Sequence, residues 1–128
     1  MPRVVYDEVT VAGRGLTGAA EVLAADWLRV EDAPPDAALL SVLDGGEAAA
    51  IPLAERLHAA LLVDDAEARA IASARGLVVV GTLGVLLAAK RGGLLQEIAP
   101  VLDRMTRLGM FVSAPLREHV LAAAGERP

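Results

Sequence analysis

The sequence predicts an α/β fold built round a small parallel sheet, and three observations carry that reading. Two apolar runs, Ala60 to Val63 and Leu77 to Val80, have strand length and no polar alternation, the pattern of strands covered on both faces. Between them, Asp65 to Arg75 reads as helix, closed by Gly76 at the position just past the helix end. A strand, a helix and a strand in that order imply a right-handed crossover between parallel neighbours.

Length and composition set the scale. With 128 residues the chain fits one domain that buries roughly two thirds of its unfolded surface. Residues 1–95 are expected to form the α/β core and residues 96–128 a pair of C-terminal helices. Hydrophobic residues make up 55%, yet Trp, Tyr and Phe occur once each, so the core must be built from small aliphatic side chains. Cysteine is absent, which excludes disulfides and thiolate metal sites. Arg3, Asp7 and Glu8 interrupt the N-terminus where a secretory signal needs an apolar core. No apolar stretch reaches the ~20 residues that span a bilayer. The expectation is a cytoplasmic protein without membrane contact.

The remaining elements follow in order. Pro2 to Val11 starts with proline and carries Val4, Val5, Glu8 and Val9 at helical spacing, which predicts a short helix. After the Gly13 to Gly18 loop, Thr17 is placed to cap a helix over Ala20 to Ala25. Trp27 to Val30 reads as a short strand, ended by the Pro34-Pro35 breaker. Asp36 to Leu43 has room for one or two helical turns. Asp44-Gly-Gly-Glu47 then opens an Ala-rich helix to about Leu57, with a kink or late start expected at Pro52. Thr82 to Lys90, Glu97 to Leu108 and Pro115 to Ala124 complete the helices. Only two firm strands and one weak one are few for such a sheet.

Charge is unevenly distributed. The net value of −5 argues against bulk electrostatic binding of nucleic acid. Residues 1–65 hold 12 acidic and 4 basic side chains, whereas residues 66–128 hold 5 acidic and 8 basic ones. In parallel α/β sheets ligands gather beyond the carboxyl ends of the strands. Asp64 and Asp65 lie at such an end, and Thr82 occupies the equivalent place after Val80. Crowded carboxylates repel and raise one another's pKa unless a cation neutralises them, and hard oxygen ligands select Mg²⁺ or Mn²⁺. The alternative is structural: Asp64 or Asp65 can cap the following helix, and Asp44 with Glu47 has capping-box spacing.

These residues resemble a known family. The stretch LDGGEAAAIPLAERLHAALLVDDAEARAIASARGLVVVGTLGVLLAAKRGGL, about residues 42–95, is similar to the core of the PIN-like DUF3368 proteins, with their LD-x-GE-x-x-AI, DD-x-x-AR and G-T-L-G segments. The segment MFVSAPLREHVLAAAGE resembles the family's C-terminal tail. The resemblance implies a three-layer PIN-like fold, a small parallel sheet flanked by helices, and the activity of a metal-dependent endoribonuclease. Many such proteins are toxins of toxin–antitoxin pairs. By resemblance, Glu8, Glu47 and Asp65 hold Mg²⁺ or Mn²⁺ and form the catalytic set, supported by Asp64 and Thr82, and a metal-bound water attacks the phosphodiester. The family's first, central strand bears an aspartate and precedes the Pro-x-x-Val-x-x-Glu helix. The chain is expected to begin after that strand, with Met1 where the family has an apolar residue, so a truncated frame or misplaced start is expected.

Other features fit ordinary roles. His58 and His119 stand alone and read as surface or capping groups. Gly81-Thr-Leu-Gly84 lacks a full phosphate-binding fingerprint and reads first as a tight turn, second as a phosphate site. Lys90 and Arg91, with Arg69, Arg104 and Arg107, can guide an RNA backbone, or form solvated helix faces. One aromatic residue of each kind rules out base stacking as the main grip. Expected partners are RNA, a cognate antitoxin and a second copy of the chain. The rival reading is a PIN-like module without catalysis that binds an antitoxin or itself.

Overall fold

The computed structural model describes residues 1–126 and divides into two compact units, Met1–Val79 and Val80–Pro128. In the first unit the elements are α1 (Arg3–Asp7), a π-helical turn (Glu8–Ala12), α2 (Ala19–Ala24), a 3₁₀ turn (Leu39–Ser41), α3 (Gly45–Leu57), β1 (Leu61–Leu62) and α4 (Ala66–Ala74). Strand β2 (Val79–Val80) pairs with β1 in a two-stranded parallel sheet. Leu61 N–H donates to the Val78 carbonyl at 2.8 Å. The α/β class is thus present, with helices α3 and α4 flanking the crossover as the sequence predicts.

The first core is made of small side chains. Ala48, Ile51, Ala68 and Ala72 are fully buried, joined by Leu39, Leu43, Ala54 and Leu61. Alanine supplies four of these eight side chains, and Ile51 is the largest of them that is fully buried. Burying a side chain of that size contributes about 1.5–3 kcal/mol.

Helix α3 begins where the sequence places it and runs through Pro52. Proline lacks the N–H that the Ala48 carbonyl needs, and the Asp36 amide supplies it instead at 3.0 Å. Asp36 is itself fixed by accepting from the amides of Ala38 and Leu39. The two-proline breaker therefore leads into a turn that completes α3.

Three local expectations are corrected. The stretch Trp27 to Val30 is not a strand: pairing is limited to a single parallel bridge between Pro2 and Glu31, and Trp27 is 80% exposed. Pro2 has no N–H with which to extend a ladder, and Pro34 ends the segment on the other side. Thr17 does not cap α2, whose N-cap is Gly18 in the left-handed region at φ 98°. The apolar runs are not covered on both faces, since Leu62 is 67% and Val78 68% exposed.

The predicted N-terminal helix forms but changes register. After α1 the chain widens into the π turn, with Gly13 N–H donating to the Glu8 carbonyl at 2.9 Å. Thr10 is buried and its Oγ1 donates to the Tyr6 carbonyl at 2.8 Å, which satisfies the buried hydroxyl. A Cβ on Gly13 would lie 2.5 Å from the Val9 carbonyl oxygen, so glycine alone closes this turn.

The second unit holds α5 (Thr82–Arg91), α6 (Ala99–Arg107) and α7 (Ala114–Ala123). Ile98, Leu102 and Val120 form its buried centre, surrounded by Leu83, Leu86, Leu87 and Leu95. Ser113 caps α7 by accepting from the Leu116 amide. Gly84 serves packing: a Cβ there would lie 3.2 Å from Val80 Cγ1. Among the described residues no helix is long and apolar enough to cross a membrane.

Candidate functional site

The acidic cluster is assembled from helix starts. Asp44 caps α3, its Oδ1 accepting from Glu47 N–H at 2.9 Å. The aspartate half of the expected capping box is therefore formed. Asp65 caps α4, its Oδ2 accepting from Ala68 N–H at 2.9 Å, so of the two adjacent aspartates the second takes the capping role.

Glu8 arrives from the opposite side, at the first residue of the π turn. A Cβ on Gly46 would meet its carboxylate oxygens at 3.2 and 3.4 Å and Val5 Cγ2 at 3.1 Å. The missing side chain of Gly46 thus lets Glu8 approach the first turn of α3, where unpaired amides favour an anion. Capping and carboxylate spacing in the sequence do not point to Gly46. Its signal is the second glycine of LDGGE, a costly residue inside a helix unless something packs against the bare backbone.

A cavity of about 200 Å³ lies beside these groups. Glu8, Asp44 and Glu47 line its polar side, and Ile51, Leu61 and Ala68 its apolar side. The Glu47 carboxyl is raised above its ordinary value, chiefly by burial, then by the negative charges of Asp44 and Asp65, with Glu8 adding to them. The polar Asp44 amide acts in the opposite direction. Glu8, Asp44, Glu47 and Asp65 therefore share one electrostatic environment.

The other expected site residues occupy separate places. Asp64 is exposed between β1 and α4. Arg69 donates from Nη1 to the Val63 carbonyl at 3.2 Å, tying α4 to the end of β1. In the second unit Thr82 opens α5, Lys90 pairs with Glu126, and Arg91 ends α5 exposed to solvent.

The chemistry of the carboxylates suits a hard divalent ion, and such an ion would relieve the repulsion felt by Glu47. Their geometry does not form a metal centre. Among the described residues no three His, Cys, Asp or Glu side chains are grouped closely enough to hold one ion. Asp44 and Asp65 each direct one carboxylate oxygen to an amide, at the starts of α3 and α4. No catalytic step through a metal follows from this arrangement.

Fold and pocket together define an α/β domain with an acidic pocket where a strand and two helix starts meet. A family described as DUF3368: PIN domain matches residues 1–126, and the chain belongs to that family. PIN domains are generally nucleases. No curated protein and no solved structure matches the chain.

Proposed function

We propose that the chain is an RNA-directed PIN nuclease, the toxin of a toxin–antitoxin pair, in which Glu8, Glu47 and Asp65 draw Mg²⁺ or Mn²⁺ into the pocket. In the first unit Asp64 supports that set and Arg69 supplies a contact to the RNA backbone; Thr82, Lys90 and Arg91 are the second unit's own candidates for these roles. The observation that carries the reading is the raised Glu47 carboxyl, held among three further carboxylates beside a cavity. Like charges so placed destabilise the chain at neutral pH, and a divalent cation is the partner that reverses the effect.

Manganese titration with a thermal melt tests this. Binding raises Tm by RT ln(1 + [L]/Kd) in free-energy terms, and Asp65→Asn, which retains a good helix cap, should abolish the rise. RNA cleavage should disappear in EDTA. A melting curve indifferent to manganese, or cleavage that persists in EDTA, rejects the metal-dependent reading.

A second reading rests on a different observation. Strand β1 pairs with β2 on one side, so the backbone groups of Leu62 face away from it, and the Leu62 side chain is 67% exposed. This edge suits a binding module that accepts an extended segment from an antitoxin or a second copy. Light scattering of the purified chain tests self-association, which Leu62→Lys should suppress. A monomer that binds no antitoxin rejects it.

A further inference from the structure

The second unit contains a carboxylate that the acidic pocket does not use. Glu126 follows α7, and its side chain is only 10% exposed. Its Oε1 accepts from Lys90 Nζ and from Ile98 N–H, each at 2.6 Å, while Oε2 accepts from Ala99 N–H at 2.9 Å. Lys90 lies in the last turn of α5, and Ile98 and Ala99 open α6. One carboxylate therefore ties the end of the described chain to two other helices.

The partners of that carboxylate are also what a phosphate oxygen takes: an ammonium group and free amides at a helix start. Lys90 is the chain's only lysine and is 23% exposed while paired. We propose that Glu126 is an internal latch, which holds Lys90 and the first amides of α6 against its own carboxylate and thereby withholds Lys90 from nucleic-acid phosphate. The inference rests on the reading that the chain acts on RNA.

Competition explains how such a latch works. Glu126 is delivered by the same folded unit, so it reaches Lys90 as an intramolecular partner at high effective concentration. A single RNA phosphate arrives from solution, screened by salt, and displaces it poorly. Displacing the segment after α7 shifts the balance, because it frees a cation next to the exposed Arg91.

Four full-length proteins test the latch: wild type, Glu126→Gln, Lys90→Met and the double variant. Lys90 acetylation by an N-hydroxysuccinimide ester, followed by peptide mass mapping, should run about fivefold faster in Glu126→Gln while the helical circular dichroism is unchanged. Binding of a fluorescein-labelled single-stranded RNA at low salt should tighten about three- to tenfold in Glu126→Gln, with the gain lost in the double variant. Equal labelling rates, equal RNA affinities, or a gain that survives in the double variant overturn the latch alone. Failure of all four proteins to bind RNA overturns the RNA reading and the latch with it. Should Glu126→Gln lose helical signal, Glu126→Asp, which keeps the charge but shortens the reach, decides by the same two assays.

Discussion

The amide of Asp36 donates to the carbonyl of Ala48 at 3.0 Å, the acceptor that Pro52 leaves without its helical donor. A proline inside a helix costs about 3 kcal/mol, partly through that stranded carbonyl, and here a neighbouring loop removes part of the cost. The Asp36 amide should therefore exchange with solvent deuterium as slowly as the interior amides of α3. Pro52→Ala supplies a competing donor and should speed exchange at Asp36 by about tenfold, the equivalent of about 1.4 kcal/mol. Amide exchange followed by NMR checks this, and unchanged protection at Asp36 would contradict the substitution of donors.

The two capping aspartates predict a contrast between Ala and Asn. Asp44→Ala and Asp65→Ala each remove an acceptor from a helix start and should cost about 1 kcal/mol in urea unfolding. Asp44→Asn and Asp65→Asn keep the acceptor and should fall within a few tenths of wild type. The comparison is made in EDTA, so a bound cation plays no part. Equal losses for Ala and Asn at either position would show that charge, and not the hydrogen bond, stabilises that helix.

The same residues explain how much was legible beforehand. Asp44, Glu47 and Asp65 announce themselves by spacing, because a capping signal and a carboxylate cluster use the same positions, and the helices α3 to α7 follow their apolar periodicity. The π turn was hidden, since Val5, Glu8 and Val9 mark one helix face equally well in either register. Trp27, Leu28 and Val30 carry strand propensity, but the one bridge beside them joins Glu31 to Pro2, which cannot extend a ladder. Leu62 and Val78 read as buried because a continuous apolar run says nothing about how many layers cover it. The Glu126 clasp joins residues 36 apart in sequence, beyond the reach of any local pattern.

Glu47 makes stability fall as pH rises. Its folded pKa is raised, so between the ordinary carboxylate value of 4.5 and the folded value the native state binds more protons than the unfolded one. Stability is therefore greater below that window and is reduced above it. Glu47→Gln removes a partly buried charge and the repulsion of its neighbours, and should raise Tm at pH 7 by about 2 °C, the size expected for a cost of a few tenths of a kcal/mol. At pH 4 the difference should shrink towards zero. A Glu47→Gln protein less stable than wild type at pH 7 would show that the charge of Glu47 stabilises the start of α3 by more than burial and repulsion cost.

Glu126 makes the opposite prediction in the second unit. Its carboxyl is lowered to about 2, first by the hydrogen bond from Lys90, then by the Ile98 and Ala99 amides. A lowered folded pKa means that the stabilisation is fully present above the unfolded value of 4.5 and is lost as pH falls towards 2. The amide exchange of α6 should therefore be insensitive to the clasp's ionisation from pH 7 to about pH 5, after correction for the intrinsic rate. Its protection should drop below about pH 4.5. Glu126→Gln should flatten that acid-dependent loss, because it has no proton to gain. The same pH profile in wild type and Glu126→Gln would place the acid sensitivity of α6 elsewhere, with Asp103, which pairs with Arg117 at 2.7 Å, as the next group to replace.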